Sequence, residues 1–427
     1  MLNLKSENPV LSKNEIVNYY HQNCKSKTEF KIGLEYEQLS LNADSRRNAP
    51  YEDLEKIIAH FASIYEWGIL KDGNTTIGAI KGKSSVSLEP GGQFEISLEP
   101  KTSVAEIERE MLEILALLNK IAKIYNVKFV QIGLTPYSTY QNIDIMPKSR
   151  YLIMADYLPK RGAFSPVMMR ETAGVQVNFD YENESDAMQK LRVSAKISPF
   201  MTGFFANSPI RAGKTTPYKS FRALAWKYTD SKRCALFYKN LLKNRSSLGF
   251  EDYVDEILNV PMLFFEREGK KIEINGEINF KDFMKYGYEG YSAALEDYIL
   301  HSSLTFPDVR LKNCLEIRNH DAQKLPLTLA ICAFYKGILH SKFALNEVDE
   351  LLNFDGEKLD NMGFLAAKHG LDFTIEGCHS PKKITQKLFE ISHKNLGEEK
   401  NYLELPLDML KRDKLVIDEF NLEEFWK

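Results

Sequence analysis

The chain has 427 residues, 44% hydrophobic and 27% charged, with a formal net charge of -3 from 56 basic and 59 acidic side chains. This length supports one large domain or two to three smaller ones, each with a sizeable core, and the composition is that of a soluble globular protein. The near balance of charge excludes a general polyanion-binding surface, so no nucleic-acid partner is expected.

Cys24, Cys234, Cys314, Cys332 and Cys378 are scattered without CxxC spacing. That argues against a zinc ribbon or a disulfide scaffold and makes a reducing cytoplasm the expected location. The segment Met1–Lys13 is polar and lacks the apolar run of a signal peptide, and no stretch approaches 18 uninterrupted apolar residues, so no membrane span is expected. Eight dispersed histidines with no HExxH leave catalytic zinc unsupported.

In chain order, a helix is expected over 13–22, then a strand over 30–39 that places Glu35 and Glu37 on one face and Leu34, Tyr36 and Gln38 on the other. Like charges at i and i+2 repel unless a cation or basic group lies between them, or solvent relieves them. A helix follows over 51–65, and 73–83 reads as a strand pair. Gly78 to Ser84 has three residues between its glycines where a Walker A loop has four, so it is rejected as a phosphate loop.

Residues 84–98 read as a β-hairpin about Pro90-Gly91-Gly92, with Ser87 and Glu89 sharing a face on one arm and Gln93, Glu95 and Ser97 on the other. Such a face is either a solvated surface or a ligand wall. Ser103 and Glu106 form a capping box for an amphipathic helix to about 126, which precedes a buried strand over 127–134. The Lys148-Ser149-Arg150-Tyr151 block opens another helix.

The strand 174–180 buries Val175, Val177 and Phe179 and turns Gln176, Asn178 and Asp180 the other way. A helix over 185–206, a long loop over 207–219 and the segment 220–226, carrying Arg222 and Trp226, come next. Beyond a helix at 250–258, a strand at 260–266 and a helix at 291–301, residues 308–318 read as one strand. It sets Arg310, Lys312, Cys314, Glu316 and Arg318 in register on one face. That face is costly unless it lines a site holding an anion and a cation. A largely apolar helix spans 325–346, and 347–427 is helix-rich without a chemical motif.

Four separated strands thus present carboxylates, amides or guanidinium groups on one face. Oxygen ligands of this kind suit Mg2+, and basic groups beside them suit a nucleotide's phosphates, a combination fit for phosphoryl transfer.

The blocks Ile-Gly-Leu-Glu-Tyr-Glu, Leu-Glu-Pro-Gly-Gly-Gln-Phe-Glu-Ile-Ser, Ile-Met-Pro-Lys-Ser-Arg-Tyr, Val-Gln-Val-Asn-Phe-Asp, Phe-Ala-Asn-Ser-Pro and Arg-Leu-Lys-Asn-Cys-Leu-Glu-Ile-Arg resemble, in order and spacing, the plant-type glutamate-cysteine ligases, also found in bacteria. They extend over about residues 30–345. The resemblance implies an α+β fold of the glutamine synthetase-like type: a curved, mainly antiparallel sheet forming a cup, helices on its outer face and a helical C-terminal region. Residues 1–346 would be the catalytic domain and 347–427 a helical region docked on it.

The implied reaction passes the γ-phosphoryl of ATP to the γ-carboxylate of L-glutamate, after which the amine of L-cysteine displaces phosphate to give γ-glutamylcysteine. ATP and Mg2+ are the implied cofactors, and the chain would act as a monomer or homodimer. Position by position, Glu35, Glu37, Glu89, Glu95 and Glu316 match metal-facing acids, and either Gln176 or Asn178 completes a metal shell. Arg318 would brace the transferring phosphoryl group, Lys312 the nucleotide, and Arg222 the glutamate α-carboxylate, with Arg150 as a second candidate and Trp226 as a pocket wall. Cys234 and Cys314 are expected to be packing residues, since substrate groups do the attacking.

Three departures accompany the resemblance. Tyr36 stands where the family usually has His, residues 319–324 lack the Gly-Gly-Pro-Trp pattern that bears on acceptor choice, and the plant redox-switch cysteine pair has no match. A superfamily ligase using another amine, and a non-catalytic nucleotide- or amino-acid-binding protein, are the competing readings.

Overall fold

The computed structural model describes residues 11–235, 239–242, 248–375 and 380–426; Cys378 and the first ten residues of the polar N-terminal stretch lie outside them. The strands in chain order are β1 (Ile32–Asn42), β2 (Gly68–Asp72), β3 (Thr75–Lys81), β4 (Ser84–Leu88), β5 (Phe94–Ser97), β6 (Val127–Val130), β7 (Gly174–Phe179), β8 (Ile210–Arg211), β9 (Lys214–Thr215), β10 (Phe264–Arg267), β11 (Lys270–Glu273), β12 (Val309–Leu311) and β13 (Leu315–Asp321).

Nine of these form one sheet in the order β12-β13-β7-β1-β5-β4-β3-β2, with β6 pairing the far end of β1, while β8-β9 and β10-β11 are separate hairpins. Every ladder in the large sheet is antiparallel. The period-2 alternation explains its two faces. Leu34 and Tyr36 of β1, Phe94 and Ile96 of β5, Val175 and Val177 of β7, and Leu315 and Ile317 of β13 are all buried in one core. The helix Leu325–Leu339 packs on β1 and β7, and the helix Glu184–Phe204 on β12 and β13. The opposite face carries the acids, amides and guanidinium groups.

Helices fall where the apolar period puts them, at Lys13–Gln22, Tyr51–Tyr65, Val104–Ile124 and Phe250–Leu258, and the first and third are capped by Ser12 and Ser103, which close capping boxes. Four expectations are corrected. Residues 308–318 are not one strand but the hairpin β12-β13, because Lys312 N–H bonds the Cys314 carbonyl and turns the chain there. The helix expected over 325–346 breaks, because Ser341 caps a new helix, Lys342–Leu351, through the Ala344 N–H. The pair expected over 73–83 is the single strand β3, whose partner β2 lies before Gly73. The strand expected at 260–266 is the start of the β10-β11 hairpin, and the short helices Ser165–Glu171 and Phe280–Tyr286 carried too few turns for their period to stand out.

No helix among the described residues is long and apolar enough to cross a membrane. Helices beyond residue 347 bury Leu359, Met362, Leu388 and Leu410 in the same continuous core as the sheet.

Candidate active site

The acid wall begins with β1 at the centre of the sheet. Its register sets Glu37 directly opposite Glu95 on β5 and Glu35 opposite Ser97, while on the other side Glu35 faces Gln176 of β7. A cross-strand pair of like charges is destabilising by itself. Short-range donors relieve it in part. Asn178 Nδ2 donates to Glu35 at 2.9 Å, the Gly174 N–H and Gln176 Nε2 donate to Glu37 at 2.6 and 3.2 Å, and Ser97 and Ser87 donate to Glu95 at 3.1 and 3.3 Å.

The Pro90-Gly91-Gly92 turn delivers the remaining acid, Glu89. Gly92 has φ +79°, and a Cβ on Gly91 would lie 2.3 Å from the Arg170 carbonyl oxygen, so the turn seats against the helix Ser165–Glu171 only because it is glycine. Gln93 fixes it, accepting from the Gly91 N–H at 2.8 Å and donating to the Thr172 carbonyl at 2.7 Å. Tyr151 then donates to Glu89 at 2.9 Å. Burial and then the charge of Glu89 push Glu37 up to about 7, against the pull of Arg222, the Gly174 N–H and Arg318. Burial, then Glu89, Glu35 and Glu37, hold Glu95 well above the usual carboxylate range.

The second wall is the β12-β13 hairpin, where Arg310 is paired across the ladder with Glu316. Glu316 is fully buried and receives Arg310, Lys312 Nζ at 2.6 Å and Arg318 Nη1 at 3.4 Å. Burial opposes its ionisation, but these three cations together hold it well below the usual range. Arg318 also donates to Gln176, which joins the two walls. Behind Arg318 stands the helix Phe221–Lys227. Its Trp226 ring lies 5.5 Å from the Arg318 guanidinium, and Arg222 donates to the Arg318 carbonyl at 2.9 Å.

Between the walls lies a cavity of about 220 Å³. Glu35, Glu37, Glu89, Glu95, Arg150, Gln176, Trp226, Arg310 and Arg318 line it, together with Tyr151 and the thioethers of Met154, Met168 and Met169. Arg150 Nε, Arg318 Nε and Trp226 Nε1 are buried there without a hydrogen-bond partner, as is Arg222 Nε just behind. Orphaned buried donors are costly, and their convergence on one cavity points to an anionic ligand that satisfies them.

Eight of the twelve expected site residues therefore line one cavity. Asn178, Lys312, Arg222 and Glu316 do not: Asn178 bonds Glu35, Lys312 bonds Glu316, Arg222 bonds the Arg318 carbonyl, and Glu316 is surrounded by Arg310, Lys312 and Arg318. Both oxygens of Glu316 are engaged by Arg310 and Lys312, which sets it apart from the four acids that line the cavity. No group of three His, Cys, Asp or Glu side chains among the described residues is close enough to hold a metal ion. The four lining acids fit Mg2+ by donor type and by a charge that their neighbours relieve only in part, not by a formed coordination shell.

Arg310, Tyr151 and Gln93 were missing from the expected site. Arg310 shares the alternating face of Glu316 and Tyr151 follows Arg150, so both could be read from sequence; the long-range bonds of Gln93 could not. The thiols of Cys234 and Cys314 are pushed up to about 12 by burial, which keeps them protonated.

The sequence model of "Glutamate-cysteine ligase family 2 (GCS2)" matches residues 31–375, which carries it past residue 346. The chloroplastic glutamate-cysteine ligase of Nicotiana tabacum is 36% identical over 79% of this chain and 65% of its own length. That of Solanum lycopersicum is 34% identical over 84% of this chain and 69% of its own length. The chain thus spans about two thirds of these relatives. Among solved structures, a glutamate-cysteine ligase from Francisella tularensis in complex with AMP aligns with a TM-score of 0.56 at 10% identity, covering 90% of this chain and 82% of that one. At that identity the likeness concerns the fold alone.

The plant relatives are named as chloroplastic, which overturns the expected cytoplasmic location. Scattered free cysteines report a reducing environment and do not distinguish one such compartment from another. With the family's model covering most of the chain and relatives at this identity, the protein belongs to glutamate-cysteine ligase family 2.

Proposed function

We propose that the chain ligates the γ-carboxylate of L-glutamate to the amine of L-cysteine at the expense of ATP. A γ-carboxylate oxygen attacks the γ-phosphorus and ADP leaves. The cysteine amine then attacks the acyl carbon of γ-glutamyl phosphate, phosphate departs and the amine loses a proton, giving γ-glutamylcysteine. The observation that carries this reading is the single cavity in which four carboxylates face Arg318 and Arg150, with buried N–H groups left unpaired.

Arg318 braces the anionic phosphoryl group in transfer, and its charge is oriented beforehand by Glu316, Gln176 and the Trp226 ring. Arg222 and Arg150 serve the substrate carboxylates, and Lys312 sets the charge of Glu316. Glu35, Glu37, Glu89 and Glu95 would hold Mg2+, with Gln176 or Asn178 beside them, and the ion would supply charge neutralisation at the triphosphate. Burial in the thioether-lined cavity keeps water from an acyl phosphate. Residues 1–346 form the catalytic domain in this reading, with 347–427 docked on it.

The test is phosphate release by purified protein with Mg2+-ATP, glutamate and a panel of amines. Cysteine-dependent release with a γ-glutamyl product is expected. Preference for another amine reassigns the acceptor, and nucleotide binding without turnover under any amine defeats the ligase reading.

A further inference from the structure

Asp321 lies at the end of β13, on the same strand as Glu316 and Arg318, and is 2% exposed. It does not line the cavity between the two walls, yet three separate donors converge on it. The Asn207 N–H donates to Oδ2 at 2.8 Å, Ser208 Oγ to Oδ2 at 2.6 Å and Ser220 Oγ to Oδ1 at 2.8 Å. An ionised carboxylate accepts only, so this donor set matches it. The fit is tight, since a Cβ on Gly133 would lie 2.5 Å from Asp321 Cγ.

The two serines are what make this cluster more than packing. Ser220 is the N-cap of the helix Phe221–Lys227 and accepts from the Ala223 N–H at 3.1 Å, while Ser208 Oγ accepts from the Arg222 N–H at 3.2 Å. Each hydroxyl thus spends its proton on Asp321 and its lone pair on the helix start. The helix so held has only seven residues and carries Arg222 and Trp226 on its inner side. A helix that short has little stability of its own, so its place depends on such anchors.

We propose that Asp321 is a positioning residue for the ligase site: through Ser208 and Ser220 it fixes the helix Phe221–Lys227 so that Arg222 and Trp226 stand in place behind Arg318. Strand β13 then supplies both the guanidinium of Arg318 and the post that holds its stacking partner. The substrate consequence rests on the reading of Arg222 as a glutamate-carboxylate ligand; the anchoring of the helix does not.

Three variants test it: Ser220→Ala, which removes the relay and the cap; Ser220→Thr, which keeps a hydroxyl; and Asp321→Asn, which turns one acceptor into a donor. In Ser220→Ala and Asp321→Asn, backbone hydrogen-deuterium exchange should rise over 220–227 and stay unchanged over the helix Glu184–Phe204. The KM for glutamate should rise roughly tenfold or more, as for a displaced charged hydrogen bond, with a smaller change in kcat. Ser220→Thr should restore both. If Asp321→Asn does not fold, Ser220→Ala and its threonine rescue carry the test alone.

Unchanged exchange over 220–227 in Ser220→Ala overturns the anchor. Raised exchange with an unchanged KM, or a fall in melting temperature alone, overturns its role in the site. A wild-type protein without glutamate-dependent turnover defeats the ligase reading instead, and the anchor then stands or falls on the exchange result.

Discussion

The two walls of the cavity use the same residue type to opposite electrostatic ends. On β1 and the β4-β5 hairpin, Glu37 and Glu95 face each other across a ladder with neutral hydrogen-bond donors, and burial and the neighbouring acids push both up despite the pull of Arg222 and Arg318 on Glu37. On the β12-β13 hairpin, Glu316 sits among Arg310, Lys312 and Arg318 and is held down. One wall balances its acid with cations of its own, and the other leaves two acids that raise each other. Burial alone does not set the ionisation of a buried acid; its neighbours do.

The largest effect that would break this contrast is at the self-contained wall. Glu316→Gln leaves three cations without their counter-charge, and removing one partner of a buried ion pair costs on the order of 3–5 kcal/mol. Glu316→Gln should therefore lose stability in urea titration as well as turnover. This is a sharper expectation than a purely catalytic loss. A variant with wild-type stability would show that the cluster does not hold the charge assigned to it.

Next is Arg318→Ala, which should lower turnover by roughly a hundredfold or more, as for loss of a preorganised charge at the transferring group. Circular dichroism and melting should stay close to wild type, since Glu316 keeps Arg310 and Lys312. Turnover near the wild-type level would remove Arg318 from the phosphoryl site.

At the other wall the sign reverses. Glu37 binds its proton more tightly in the folded chain than in the unfolded one, so without metal its contribution to stability is present below about pH 4.5 and is lost as pH rises through about 7. Glu316, with its value depressed, contributes above the ordinary carboxylate range and loses that contribution only in stronger acid. Glu95→Gln should accordingly raise the melting temperature of metal-free protein near neutral pH and shrink the further rise on adding Mg2+. A fall in the metal-free protein would mean that the acid wall is not under repulsion.

The smallest effect lies away from both walls. Ser103→Ala removes the N-cap of the helix Val104–Ile124 and should cost about 1 kcal/mol with no change in turnover.

What was legible in the sequence follows from the same local physics. Alternation put Glu35 with Glu37, and Gln176 with Asn178, on the correct face, and Ser103-x-x-Glu106 located a helix start to the residue. Alternation also misled over 308–318, because Val309, Leu311, Leu315 and Ile317 share one apolar parity on both sides of the turn, interrupted only by Asn313, and Lys312-Asn313-Cys314 holds neither Gly nor Pro to mark it. The side-chain face survived that error while the partner of Glu316 did not. Register across strands, and hence Glu37 opposite Glu95 or Asp321 beneath Ser208 and Ser220, joins residues far apart in the chain and has no local signal.

The strand order also governs when the site comes into being. β1 sits between β5 and β7, and the hairpin that carries Arg318 joins β7 only from residues 309–321. Pairings of such sequence separation are slow to form. In a chain still emerging from the ribosome the strands of the acid wall, within residues 32–97, are present well before residues 309–321, so the two walls meet only once most of the chain has been made.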